Sequence, residues 1–326
     1  MDTIHFPYRS SGHLLLLHVI AESGSWAKYG LAVEYDKKIA AGDSHKRVMS
    51  GDIEFVGGNH ISPYGYRARG DRWLYVGQTV NVVPGRTLVV RADSGIDSIA
   101  DLREKKVGSR GKHPQLNDWL QLKQNGLDVD RDEVEIAGQY DGLSDDGEAA
   151  DNAARLWDVV RDKKADAAFL PNPGAIFAER AGLKCIPLPA FPMIYYTTIS
   201  TSLKFAEAHP DIVERFLKGM IEGIHFFKTQ PERAAQIIKE RYTQDGVMDL
   251  AMAREAQATL SGALEPKLYP SPQAIMNVYE EGKRIDKDAA RVDPMALWDV
   301  HYLRRIDDSG FIDELYAKTP APVAAG

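Results

Sequence analysis

The stretch GDIEFVGGNHISPYGYRARGD, residues 51–71, decides how the chain is read. Ile53, Phe55 and Val56 make a short apolar run of the kind that fills a buried strand, and Gly57-Gly58 ends it in a tight turn. Asn59 and His60 then stand where a helix is expected to start, and the pattern predicts helix or helical turn over 59–70. Open α/β sheets bind ligands in the crevice outside the carboxyl ends of their strands. A strand, a glycine turn and a polar pair in that order pose a choice between a ligand site and a simple helix cap.

The same alternation extends outward. Strand-like runs recur at TIHFPY (3–8), LAVEYD (31–36), RWLYVGQTV (72–80), RTLVVR (86–91), EVEIAG (133–138), DAAFL (166–170), KCIPL (184–188) and MIYYTTIST (193–201). Helical spacing separates most of them, as in SSGHLLLLHVIAESGSW (10–26), where Ser10 or Ser11 is the expected N-cap. Strand and helix in turn imply mostly parallel sheets. After residue 202 apolar residues fall at i, i+3 and i+4 through PDIVERFLKGMIEGIHFF, PERAAQIIKERY and MDLAMAREAQATL, so no further strand is expected. Lobe one is expected to comprise 1–91 and 193–326 and lobe two 92–192, with a hinge of two crossovers and a cleft between them.

Composition narrows the function. With 326 residues, 44% apolar and 27% charged, the chain reads as an ordinary soluble protein of about two domains. A net charge of −7 argues against nucleic-acid and anionic-membrane partners. Cys185 is the single cysteine, so no internal disulfide forms, and LKCIPL makes it an inert core thiol. HLLLLHVIA (13–21) is too short to span a bilayer and lacks the basic flank and cleavage site of a leader. A native start at Met1 implies a cytoplasmic protein; a Met added to a mature chain reverses this to periplasmic. No HExxH or Cys/His spacing appears, so neither metal nor cofactor is expected, and no G-x-S-x-G elbow marks a serine hydrolase.

Four segments carry a resemblance: SGHLLLLHVIAESGSWAKYGLAVEY, VMSGDIEFVGG, LVVRADSGIDSIADLREKKVGSRG and KKADAAFLPNPGAIFAERAG. Over roughly residues 3–240 the chain resembles the sulfonate/nitrate/taurine-type solute-binding proteins of ABC transporters, most specifically at 97–108. Their fold group also holds the thiamine-pyrimidine synthases and leaderless enzymes of the desulfinase and decarboxylase type. The resemblance implies an α/β, two-lobe, type II periplasmic-binding-protein-like (venus flytrap) fold with a helical C-terminal extension on lobe one. The cysteine run of the pyrimidine synthases is absent. The desulfinase is known for a catalytic cysteine in its first loop, where this chain reads Arg9-Ser10-Ser11-Gly12, so that nucleophile is not carried over.

In such a fold the loops after successive strands face the cleft. The first gives Arg9, Ser10, Ser11 and His13, the second His45, and the third Asn59 and His60. Lobe two contributes Ser109, Arg110, Gly111 and His113, then Asn172. Of Tyr195 and Tyr196, alternation along a strand lets one face the cleft. Ser109-Arg110-Gly111 ahead of a helix is a candidate anion grip through free N–H groups and a guanidinium. His60 and His13 are the candidate catalytic residues because an imidazole titrates near neutral pH, although a lone histidine is more often structural. Two functions are weighed, and the first is the preferred reading. One is a cytoplasmic lyase or hydrolase removing carboxylate or sulfinate from a small, preferably aromatic substrate, with the anion held between the lobes and a histidine moving the proton. The other is a substrate-binding protein that captures a small organic anion without chemistry and, if a leader was removed, delivers it to an ABC permease.

Overall fold

The computed structural model describes residues 1–83, 86–109, 116–128, 131–138, 156–170, 174–242 and 248–317. The described strands are β1 Asp2–His5, β2 Leu31–Glu34, β3 Val56–Gly57, β4 Trp73–Val83, β5 Thr87–Val90, β6 Lys106–Ser109, β7 Glu135–Gly138, β8 Ala167–Leu170, β9 Lys184–Pro187 and β10 Phe191–Ser202. The chain divides into two units, 1–82 with 192–326 and 83–191. Strand β5, which falls before the expected boundary at residue 91, is hydrogen-bonded into the second unit's sheet.

In the first unit β1 and β2 run parallel, from Asp2 beside Leu31 to His5 beside Glu34. The chain beyond β1 stays in the layer. Phe6 N–H donates to Glu34 O at 2.9 Å, and Gly57 N–H donates to Pro7 O at 2.9 Å. Residues 6–9 thereby join the β1–β2 pair to β3, whose other neighbour, β10, runs antiparallel to it and carries β4 beyond. Helix α1 (Leu14–Glu22) buries Leu14, Leu16, Leu17, His18, Val19 and Ile20, more than one face, as an interior helix does. It is packed by α2 (Ser25–Lys28) and by the helices Pro210–Thr229 and Pro231–Arg241. Phe216, on the first of these, stacks on Phe55 with ring centroids 4.3 Å apart and meets Phe6 edge-on at 5.0 Å. The long helix comes this close because Gly219 and Gly223, one turn apart, carry no side chain. A Cβ there would stand 2.4 Å from Trp26 Cδ1 and 2.6 Å from Ile20 Cγ1 respectively.

The second unit has a five-stranded sheet ordered β7-β6-β8-β5-β9. Strand β6 is parallel to β7 and β8, but β5 is antiparallel to both β8 and β9. The sheet is therefore mixed, a correction to the mostly parallel expectation. Strands β8 and β9 keep the common direction that a helical crossover (Gly174–Arg180) dictates, and β5 enters between them from outside that pattern. Its continuous apolar run is explained by burial on both faces. Leu88 and Val90 pack with Val107, Leu122 and Phe169, whereas Val89 packs with Val160, Ala168 and Ala178.

After β10 the described residues form helices and no strand, as the spacing predicts. No described helix is long and apolar enough to cross a membrane.

Two outcomes follow from this packing. Gly223→Ala forces three atoms of Ile20 aside and should destabilise the fold by about 1–3 kcal/mol, read as a lower urea midpoint at unchanged m-value. His18, 5% exposed and hydrogen-bonded through Nδ1 to Tyr35 Oη at 3.0 Å, is held down to about pKa 4, first by burial and then by Arg241. The unfolded chain takes this proton near pH 6.5 and the folded chain does not, so its stability contribution is intact above pH 6.5 and is lost as pH falls toward 4. Denaturation midpoints measured from pH 7 to pH 4 should fall, and His18→Met should flatten part of that fall.

Candidate functional site

The turn that opened the sequence reading is not a helix start. Helix α4 begins at Pro63 and ends at Ala68. Asn59 instead adopts a left-handed backbone, φ 64°, a conformation asparagine tolerates better than most residues. Its side chain ties the turn together: Nδ2 donates to Ser44 Oγ at 3.2 Å, and Oδ1 accepts from Ser62 Oγ at 2.7 Å. Tyr75 Oη donates to the Asn59 carbonyl at 3.3 Å. The preceding Gly58, φ 108°, donates its N–H to Thr198 O at 2.8 Å and accepts from Ser200 Oγ at 3.2 Å. Strand β10 thus fixes the glycine turn from behind.

What the turn faces is the first loop. A Cβ on Gly58 would lie 2.9 Å from Arg9 Cγ and 3.3 Å from His13 Cε1, so the missing side chain gives both residues their place. A Cβ on Gly57 would lie 3.4 Å from His13 Nδ1 and 3.4 Å from Thr197 Cγ2. His13 is 6% exposed, and its ring centroid is 5.4 Å from that of Tyr196. Tyr196 itself is left-handed, φ 65°, a conformation costing a bulky residue on the order of 1 kcal/mol or more. Its hydroxyl donates to Gly12 O, which holds the phenol against the His13 turn. The strict alternation expected of Tyr195 and Tyr196 fails at this kink. Tyr195 offers its carbonyl to Gln78 Nε2 at 2.7 Å.

Electrostatics distinguish this place from the rest of the unit. Burial first, then His60 and Arg9, hold His13 down to about pKa 3, and burial with the Arg9 charge holds His60 down to about 4. At neutral pH both imidazoles are therefore uncharged. Arg9, half-buried, is lowered by burial but stays a cation, as guanidinium groups in proteins do. Its Nη1 donates to Ile39 O at 2.6 Å, and no carboxylate among the described residues pairs with it. Nδ1 of His13, Nδ1 of His60 and Oγ1 of Thr197 are all buried without a hydrogen-bond partner. One unpaired cation and three open polar atoms mark a site prepared for a ligand that brings negative charge and acceptors.

The structure thus brings His13, His60 and Arg9 together and holds Asn59 and Tyr196 beside them. Ser10 occupies the N-cap position of the single turn Ser11–His13, but its hydroxyl makes no capping bond. His45 lies elsewhere. His45 sits inside α3 (Ala41–Ser50) rather than in a loop. Its Nε2 is 2.6 Å from Asp71 Oδ2, and its ring is stacked on Tyr66 at 3.7 Å and near Trp73 at 5.2 Å, the surroundings of a structural histidine. Ser109 closes β6 beside Gly138. Its side chain, and Arg110, Gly111, His113 and Asn172, lie outside the described residues. Sequence reading gave too little weight to Arg9 and Thr197. The available signal was the Gly57-Gly58 doublet, which announces a close approach by some other part of the chain. Among the described residues no group of three or more His, Cys, Asp or Glu is placed to hold a metal ion.

Comparison with known proteins places this arrangement. The chain resembles the periplasmic sulfonate-binding protein SsuA, from a putative sulfonate ABC transporter of Methylobacillus flagellatus KT, with a TM-score of 0.71 and 15% identity over 100% of this chain and 99% of that one. For the periplasmic aliphatic sulphonate binding protein SsuA of Escherichia coli the TM-score is 0.63 and the identity 14%, covering 91% of this chain and 96% of that one. The desulfurization enzyme DSZB, as a variant in complex with biphenyl-2-sulfinic acid, gives a TM-score of 0.60 and 17% identity over 94% and 99% of the two chains. At these identities the likeness is one of fold, and that fold serves both a binding protein and an enzyme. None of the curated proteins compared matches the chain. The NMT1/THI5-like family model matches residues 15–234, more than half of the sequence, and the chain therefore belongs to the NMT1/THI5-like family.

Proposed function

We propose that the chain binds a small organic anion, a sulfonate, sulfinate or carboxylate, at the Arg9–His13–His60 site of its first unit. The observation that carries this reading is the half-buried Arg9 guanidinium with no carboxylate among the described residues to neutralise it. A desolvated charge without a partner is costly, and a charge-assisted bond to an anion relieves it. Thr197 Oγ1 and the open ring nitrogens complete an acceptor-seeking wall around the headgroup. The SsuA and DSZB structures, whose names specify sulfonates and a sulfinic acid, make the same ligand class the natural one to test.

A second reading is the cytoplasmic lyase or hydrolase, favoured by two adjacent imidazoles whose Nδ1 atoms have no other use in the fold. Decarboxylation or desulfination needs a held anion, a dry pocket and a proton for the carbon left behind. The chemistry is harder to assign to this site than binding is. Neutral imidazoles are poor proton donors, and neither ring nitrogen is oriented by a carboxylate. A receptor role would set the chain outside the inner membrane beside an ABC permease, and an enzyme role would set it in the cytoplasm.

A thermal-shift screen over aliphatic and aromatic sulfonates, sulfinates and carboxylates should find at least one stabilising ligand for the wild type. Arg9→Gln should lose that shift while retaining its own melting transition. Gly58→Ala should lose it too, since the new Cβ displaces Arg9 and must adopt φ 108°. A ligand shift that survives Arg9→Gln rejects the site. Recovery of the bound ligand unchanged after prolonged incubation supports the receptor; its conversion supports the enzyme.

A further inference from the structure

We infer that the anion enters this site together with a proton, so that its bound form faces Arg9 and one imidazolium rather than Arg9 alone. The inference rests on the anion reading given above and deepens it. Its geometric basis is the absence, among the described residues, of any negative group around the two rings. His13 is faced by Arg9 from the loop before it and by Gly57 and Gly58 from the end of β3. His60 approaches it from the following turn, and Tyr196 and Thr197 from β10. His60 is faced by Arg9, with the hydroxyl of Tyr75 at the neighbouring Asn59 carbonyl. Burial raises the Tyr196 and Tyr75 hydroxyls well above their ordinary range, so both stay protonated and neutral. No carboxylate is among these groups.

Among the described residues the site is therefore electrostatically one-sided. Each of their influences on the two rings, burial first and neighbouring charge second, opposes a proton. A sulfonate or carboxylate at the headgroup position supplies the missing term. An opposite charge within about 4–6 Å moves an ionisable group by roughly 1–3 pH units toward its charged form. Acting on His60 from about 4, such a shift reaches the range of pH 5–7. Charging either ring opposes charging the other, so the pair takes up one proton and not two, and it titrates as a unit. Nδ1 of each ring, buried and without a partner, is free to form the bond that the added proton or the anion oxygen requires.

The sign follows from linkage. A ligand that raises a site's proton affinity binds more tightly where protons are available, between the free and bound titration points. Sulfonate affinity should therefore fall by about tenfold between pH 5 and pH 7. The ordinary expectation for an arginine-only site is a flat profile, because neither the guanidinium nor a sulfonate titrates there.

Isothermal calorimetry with methanesulfonate and benzenesulfonate tests this. Both are strong-acid anions, so a proton taken up must come from solution and not from the ligand. Titrations at pH 5.5 in cationic buffers of differing ionisation enthalpy should give an observed heat that varies linearly with that enthalpy, with uptake of about 0.5–0.8 proton per anion bound. His60→Gln and His13→Gln should bind more weakly, with the uptake reduced toward zero and the pH profile flattened. Binding by the wild type with no buffer dependence and a constant affinity from pH 5 to pH 7 overturns the inference and leaves the anion site standing. Failure of every anion in the wider thermal-shift panel to bind between pH 5 and pH 8 overturns the anion reading and this inference with it. Should either variant fail to fold, the wild-type buffer dependence decides alone.

Discussion

A guanidinium without a counter-ion among the described residues is the constraint on which the first unit's site depends. Arg9 reaches its position only because its stem lies against Gly58, where a Cβ would stand 2.9 Å from Cγ, and because Ile39 lends a carbonyl to Nη1. Neither partner cancels the charge. Several other buried or half-buried arginines are paired, Arg86 with Asp118 in the second unit and Arg284 with Glu281 on the helix Pro272–Ile285. Half-buried Arg67 is not, its guanidinium reaching only the Asp71 carbonyl; Arg9 differs in lying beside two neutral imidazoles, where an anion would complete the charge.

The surrounding fold keeps the arrangement rigid. Thr198 and Ser200 on β10 hold both backbone groups of Gly58, and Thr198 is itself anchored through its hydroxyl to Gln78 Oε1 at 2.7 Å. Two non-glycine residues with left-handed backbones flank the imidazoles, Asn59 in the turn after β3 and Tyr196 on the neighbouring strand β10. Backbone strain of this sort persists where neighbouring bonds over-determine it, and it gathers at sites that bind or react.

The histidines show how similar residues part company in one fold. His18 shares a hydrogen bond with Tyr35 inside the core, and His45 is clamped by Asp71, Tyr66 and Trp73. Each has a structural partner that accounts for it. His18 and His45 also leave one ring nitrogen unpartnered, but no hydrogen bond among the described residues accounts for His13 or His60, and these two lie together beside Arg9. In the sequence His13, His45 and His60 looked alike, as polar residues in loops after apolar runs. A hydrogen-bond partner fifteen to thirty positions away leaves no local mark on the residue that uses it.

Much of the architecture was legible in the order of residues. Apolar runs of four to six residues fixed the strands, i, i+4 spacing fixed the long helices after residue 202, and the segment at 97–108 tied the chain to its fold group. Those features depend on local periodicity, which survives without knowledge of the partner. The antiparallel entry of β5, the left-handed turns at Asn59 and Tyr196, the start of α4 at Pro63 and the isolation of the Arg9 charge were decided by tertiary structure. Each depends on which distant groups come within a few ångströms, and the desolvation that leaves two imidazoles neutral beside a cation exists only once the chain has closed around them.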